Sequence, residues 1–427
     1  MKKILLIGLV VLSLASCKKD EEPVTTGTLS GTVTNASGAV LADVLIVVYD
    51  ANTNSPAGAN VKTDAEGNYT IELEPGNYYI KVFKQGFESI PPKGVTAIPF
   101  QIDLGITESR SFEMFVTTVS GGWVTGKVTD GANAVANVLV VASDAAGESF
   151  SAISDTEGVY TIFNVPAGNY GVMGWAATYN SDEKAASVTA DAETGAVDLT
   201  LTAGAAGVVS GSVRHLATGN IDVDVALIHP LSKESIPGLS SFTVADNYEI
   251  PGVPDGIYLA RATFENDNRV MDPDRITKFG EPEVAISGGN AVTIDFDVTN
   301  SVTLNAPTNE ASTTIPFETT STAPTFEWTP YASTSDYVIE VMDAATGQVV
   351  WGGFSHQQGV IGKNYTIGGG ATSAVYNEDN SASVATLVPG RIYRWRIYAS
   401  KDDAKSAVGW NLISASEDQM GLIKIVQ

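Results

Sequence analysis

The feature that most constrains this chain is a pattern written into it three times. Gly31-Thr32-Val33-Thr34 runs through Ala39-Val40-Leu41-Ala42-Asp43-Val44 into Leu45-Ile46-Val47-Val48. The same order returns from Gly126-Lys127-Val128-Thr129 to Leu139-Val140-Val141, and more loosely from Gly211-Ser212-Val213 to Leu227-Ile228. Each copy has a second half. Thr63-Asp64-Ala65-Glu66-Gly67-Asn68-Tyr69 leads to Pro75-Gly76-Asn77-Tyr78, and Ser154-Asp155-Thr156-Glu157-Gly158-Val159-Tyr160 leads to Pro166-Ala167-Gly168-Asn169-Tyr170. In the third copy the turn shrinks to Asp246-Asn247-Tyr248, ahead of Pro254-Asp255-Gly256-Ile257-Tyr258. The copies start roughly 90 residues apart, the size of a small domain rather than of a solenoid repeat. β-Branched runs with period-two alternation, as at Tyr78, Ile80 and Val82, predict strands, while Asp-x-x-Gly and Pro-Gly predict the reversals between them. Two such sheets stacked face to face share one core, so the expected fold class is all-β, built of tandem Greek-key sandwiches.

The pattern Gly-x-Val, Thr-Asp-x-x-Gly-x-Tyr, Pro-Gly-x-Tyr resembles the carboxypeptidase regulatory-like domain. That resemblance implies a transthyretin-like sandwich, grouped with starch-binding-like modules, and modules at residues 28–118, 119–205 and, in divergent form, 206–299. It implies no peptidase activity, because catalysis in that family belongs to a separate domain. From Val302 the pattern changes. Pro324-Thr325-Phe326-Glu327-Trp328, then Leu387-Val388-Pro389-Gly390-Arg391-Ile392-Tyr393 before a long strand, is similar to fibronectin type III and implies a fourth sandwich at 300–427. There Trp328 and Trp395 are expected in the core and Tyr393 at a tyrosine corner. The glycine-rich stretch from Gly368 to Asn380 reads as a mobile insertion, with a binding loop as the alternative.

The N-terminus carries an address. Lys2 and Lys3, an apolar run from Ile4 to Leu14, and small residues before Cys17 form a signal peptide at 1–16, too short to span a bilayer. Leu14-Ala15-Ser16-Cys17 resembles the lipobox of bacterial lipoproteins, which implies lipidation of Cys17 and membrane anchoring through its acyl chains. Residues 17–27 then form a polar tether. Its order, Lys18-Lys19-Asp20-Glu21-Glu22, looks like the surface-export signal of Bacteroidota lipoproteins, which implies the outer membrane, facing the exterior; a solvated linker is the alternative. With modules following one another from the lipid outward, the last is expected farthest from the membrane unless the string folds back.

The single cysteine leaves no intrachain disulfide or cysteine nucleophile once Cys17 is acylated. A net charge of −25 repels phosphate backbones and makes nucleic acid an unsuitable partner. There is no Gly-x-Ser-x-Gly, no His-Glu-x-x-His and no phosphate loop, so no catalytic residue is assigned and the chain is read as non-enzymatic. The three histidines are scattered, and His229, before Pro230, reads as a partly exposed structural residue.

Two candidate sites remain. The oxygen-rich segment Glu265 to Arg275 offers Asp267, Asp272 and Asp274 as calcium ligands, although Arg269 and Arg275 can neutralise the acids instead; otherwise no cofactor is expected. Trp175, Tyr179, Trp351 and Trp410 are candidates for stacking on sugar rings, against a reading as core or junction aromatics. The leading expectation is a multi-module adhesion or scaffold lipoprotein contacting a glycan or a surface protein. Its rival is a carbohydrate-binding accessory of a glycan-uptake system, which calls for an exposed coplanar pair among the four aromatics.

Overall fold

Strands form where β-branched and aromatic residues alternate, and they fall into four sandwich units. A computed structural model of the chain describes residues 25–427 except 58–59, 93–96, 98, 217–221, 264–267, 313, 345–346 and 358–359. In the first unit, strand Gly27–Asn35 lies antiparallel to Asn68–Leu73 and parallel to Thr107–Ser109 and Phe112–Met114, while Leu45–Asp50 pairs with Gly76–Phe83 in the facing sheet. The second unit repeats this plan with Gly121–Thr129 against Val159–Pro166 and Leu199–Ala203, and Leu139–Ser143 against Gly168–Trp175. In the third, Ala206–His215 pairs with Asn247–Pro254 and Phe296–Asn300, facing Val223–Ile228 with Gly256–Thr263. Each unit has its own apolar core, centred for example on Leu29, Val33 and Ile46 in the first and on Val124, Val128 and Val140 in the second.

The repeated motif has a physical reason. A Cβ on Gly31, Gly126 or Gly211 would lie 1.8–2.1 Å from the carbonyl oxygen of Arg110, Val197 or Ile294, where the returning chain crosses the first strand. The same oxygen accepts the hydroxyl of the motif tyrosine: Tyr69 at 2.6 Å, Tyr160 at 2.5 Å and Tyr248 at 2.7 Å. Glycine permits the crossing and tyrosine satisfies the carbonyl it brings in. The amide after each glycine is taken by a side chain of the crossing segment, Ser111, Asp198 or Asp295. In the turn between strands, Asp64 accepts from the amides of Glu66 and Asn68, and Asp155 from those of Glu157 and Val159, with Gly67 and Gly158 at positive φ. The third copy drops that glycine, and Val213 N donates directly to Asp246 O.

In the fourth unit a three-stranded sheet, Leu304–Ala306, Thr325–Trp328 and Ser373–Val375, faces a larger one built on Asp336–Asp343, Val349–Gly352, Ile392–Asp402 and Leu422–Ile425. Trp328 and Trp395 are fully buried, and the Tyr393 hydroxyl accepts from Val388 N at 3.1 Å. The stretch read as a mobile insertion instead carries the sheet strand Ser373–Val375, the buried Tyr376, and a turn in which Asn377 holds Ala382 N and Ala385 O.

The units do not form an open string. Asn164, at φ 56°, links the second unit to the first through Lys84 O, Gln85 Oε1, Gly86 N and Phe87 O. Trp175, Leu139 and Val141 of the second unit join the core cluster of the third. Unit three meets unit four through the helix Pro273–Phe279: Asp274 accepts from Leu412 N at 2.7 Å, and Lys278 donates to Trp410 O and to Asn411 Oδ1. Unit four then returns to unit one, where Phe115 shares an apolar cluster with Ala344, Ile392 and Leu422. The string of units thus folds back on itself, the exception under which the last module is not expected farthest from the membrane. The physical reason is that Phe115 and Leu422 bury each other, with Lys424 placed between Glu113 and Glu318.

Candidate functional site

Among the four aromatic candidates, no common platform forms. Trp175 packs edge-on to His229 and Tyr258, with ring centroids 4.8 and 5.7 Å away, at the junction of the second and third units. Tyr179 packs on the core of the second unit. Trp351 is 1% exposed, lies against Phe326, Tyr365 and Tyr376, and donates its indole N–H to Asp379. Trp410 stacks on Phe354, with the ammonium groups of Lys278 and Lys363 each 4.6 Å from its ring centroid. The four rings thus belong to separate clusters, two of them at unit junctions.

His229 is not partly exposed; it is buried beneath Trp175. Its Nδ1 accepts from Ser232 N at 3.1 Å, which places the remaining proton on Nε2. Burial, helped by the nearby Lys233 charge, pushes its pKa down to about 4, so it packs as a neutral ring.

The calcium candidates also have structural tasks. Asp267 lies outside the described residues. Asp272 is the N-cap of the helix, accepting from Asp274 N at 3.0 Å, and burial raises its pKa. Asp274 faces Lys278 at 2.8 Å and the amide of Leu412. The segment read as an oxygen-rich loop is therefore partly this helix, whose Pro273 start and Gly280 end the strand-based reading passed over. Among the described residues no group of three or more His, Cys, Asp or Glu converges as a metal site. Cys17 lies outside the described residues.

What the sequence did not announce is a cleft of about 420 Å³ where the first three units meet, a volume within the range of small-ligand sites, which favour domain junctions. The first unit contributes Lys81, Phe83, Glu88, Pro91 and Pro92, the second Glu148, Phe150, Ser151 and Phe163, and the third Leu231 and Glu234. Lys81 Nζ meets Glu234 Oε2 at 2.6 Å across the first and third units, beside the stacked Tyr49–Tyr79 pair, whose hydroxyl pKa values burial raises. Burial likewise pushes Glu88 up, although the Thr117 hydroxyl opposes this by hydrogen bonding to its carboxylate. No motif signals the cleft, because its walls come from segments far apart in sequence.

Fold and cavity together define a tandem β-sandwich protein with a cleft between its modules. The carboxypeptidase regulatory-like domain family matches residues 28–103 and 123–202, the first two units. No curated protein matches the chain. Among solved structures it is similar to the Bacillus anthracis TIE protein, at 18% identity over 65% of this chain and 51% of that one, with a TM-score of 0.18. It thus spans about half the length of that protein. It is also similar to BcpA, the major pilin subunit of Bacillus cereus (11% identity, 65% of this chain, 100% of that chain, TM-score 0.19), and to GBS52, the minor pilin of Streptococcus agalactiae (12%, 44%, 99%, TM-score 0.20).

Proposed function

We propose that this chain is a non-enzymatic envelope lipoprotein that serves as an adhesion or scaffold protein, anchored through acyl chains on Cys17 at the exterior face of an outer membrane. The single observation that carries the binding role is the cleft at the junction of three units, framed by contacts between them such as Lys81–Glu234. In this reading the fourth unit is a fibronectin type III-like module, supported by Trp328 in its core and the Val388–Tyr393 corner. In this reading at least two ion-paired carboxyls have structural tasks. Arg394 and Arg396 hold Asp418, and Arg261 and Lys233 hold Glu281, keeping both carboxyls below the usual range even though burial pushes each upward. The glycan-accessory alternative finds no exposed coplanar pair among Trp175, Tyr179, Trp351 and Trp410.

The test joins metabolic labelling with a clickable palmitate analogue to protease shaving of intact cells. Wild-type protein is expected to incorporate the label and to be shaved from intact cells, and Cys17→Ser to do neither. Unlabelled wild-type protein overturns the anchor. Labelled protein protected until the outer membrane is opened overturns the exterior placement.

A further inference from the structure

We infer that the cleft between the first three units takes a basic peptide segment in extended form. This deepens the binding role proposed above and rests on it. Three features of the cleft point the same way. Its charge is lopsided: Glu88, Glu148 and Glu234 line it, while Lys81, the one described cation in its wall, already faces Glu234 at 2.6 Å. Among the described wall residues an anionic ligand would meet the exposed Glu148, and Glu88 faced by the Thr117 hydroxyl and the Arg391 charge, whereas a lysine or arginine side chain complements them.

Its apolar surface suits the same ligand. Phe83, Phe150 and Phe163 are only partly buried although they are phenyl rings. Such rings attract an ammonium or guanidinium over their faces and cover its methylene stem. The wall also has direction. Ser149–Ile153 is the terminal strand of its four-stranded sheet, paired on one side with Leu139–Ser143, and its Ser149, Phe150 and Ser151 line the cleft. A segment laid alongside a sheet edge is extended, with alternate side chains turned to the same wall.

The experiment is calorimetric titration of residues 18–427, produced without lipid so that its outcome is independent of anchoring and export. The probes are three acetylated, amidated heptapeptides and maltohexaose. The peptides are Gly-Val-Lys-Val-Arg-Val-Gly, the same sequence with citrulline and acetyl-lysine at the two basic positions, and the same with glutamates there. The basic peptide is expected to bind, and the other peptides and the sugar at least tenfold more weakly or not at all. Glu148→Gln, which removes an exposed carboxylate, and Phe163→Ala are each expected to weaken the basic peptide fivefold or more. Glu66→Gln and Glu249→Gln, which remove equal charge elsewhere, are expected to leave it unchanged. Absence of binding, equal binding of the neutral peptide, equal weakening by the remote variants, or binding of maltohexaose in preference to the basic peptide overturns the inference.

Discussion

Lys424, in the last strand of the chain, places its ammonium 3.1 Å from the carboxylate of Glu113 in the first sandwich, across 311 residues of sequence. The same nitrogen sits 3.4 Å from the centroid of the Phe115 ring and 2.9 Å from Glu318. This contact closes the four units into one body. It also means that the last unit lies against the first.

Phe115→Ala should loosen that closure without unfolding any unit. The cluster it leaves, Ala344, Ile392 and Leu422, loses its largest member, a truncation of the kind that costs about 3 kcal/mol when fully buried. Hydrogen exchange should rise selectively in 113–116 and 390–394, while amides of the second and third units keep wild-type protection. Uniform exchange across all units would show that the contact is not a separable interface.

The glycine–tyrosine crossing makes a sharper demand. Tyr160→Phe removes one hydroxyl from a buried carbonyl and should cost about 1–2 kcal/mol. Gly126→Ala forces a methyl to 2.1 Å from Val197 O and should cost about 3 kcal/mol, the upper end of overpacking. Chemical denaturation checks both. A glycine variant as stable as wild type would show that the crossing strand is not held so close.

These crossings show what was legible in the sequence. The glycines, tyrosines and turn residues recur as motifs because local backbone geometry requires them. Their partners Arg110, Val197 and Ile294 contribute only carbonyl oxygens, which any residue has. The neighbouring amide-to-side-chain bonds span 79, 71 and 83 residues, so no fixed spacing marks them. The cleft was illegible for the same reason, since Phe83, Phe163 and Glu234 meet only through the packing of units. The helix Pro273–Phe279 was missed because seven residues are too few for a helical period to stand out among strands.

His229 predicts a pH effect. Its folded pKa, about 4, lies below the usual 6.5. Above pH 6.5 the ring is neutral whether the chain is folded or not, and it contributes nothing to pH dependence. As pH falls from 6.5 toward 4, the unfolded chain gains a proton that the folded one refuses, so stability is lost by up to about 3 kcal/mol. His229→Asn, which keeps an acceptor for Ser232 N, should flatten this part of the stability–pH curve relative to wild type. Parallel curves for the two proteins would contradict the buried neutral ring.

Calcium should leave stability unchanged if Asp272 and Asp274 serve the helix and the unit junction as described. A site saturated a hundredfold above its Kd would add about 2.7 kcal/mol. Melting curves in calcium and in chelator are therefore expected to coincide, and a clear upward shift with calcium would restore the metal reading. Lys278→Ala, by contrast, should cost about 2 kcal/mol, since it strips Trp410 O, Asn411 and Asp274 of their shared donor.

The most direct test of the closed arrangement is small-angle X-ray scattering of residues 18–427 in solution. Closure through Phe115 and Lys424 predicts a single compact particle, with a radius of gyration not far above the roughly 22 Å expected for a compact chain of this length and a pair-distance distribution that falls off without a long tail. A distribution stretched to the length of four sandwiches end to end would contradict it.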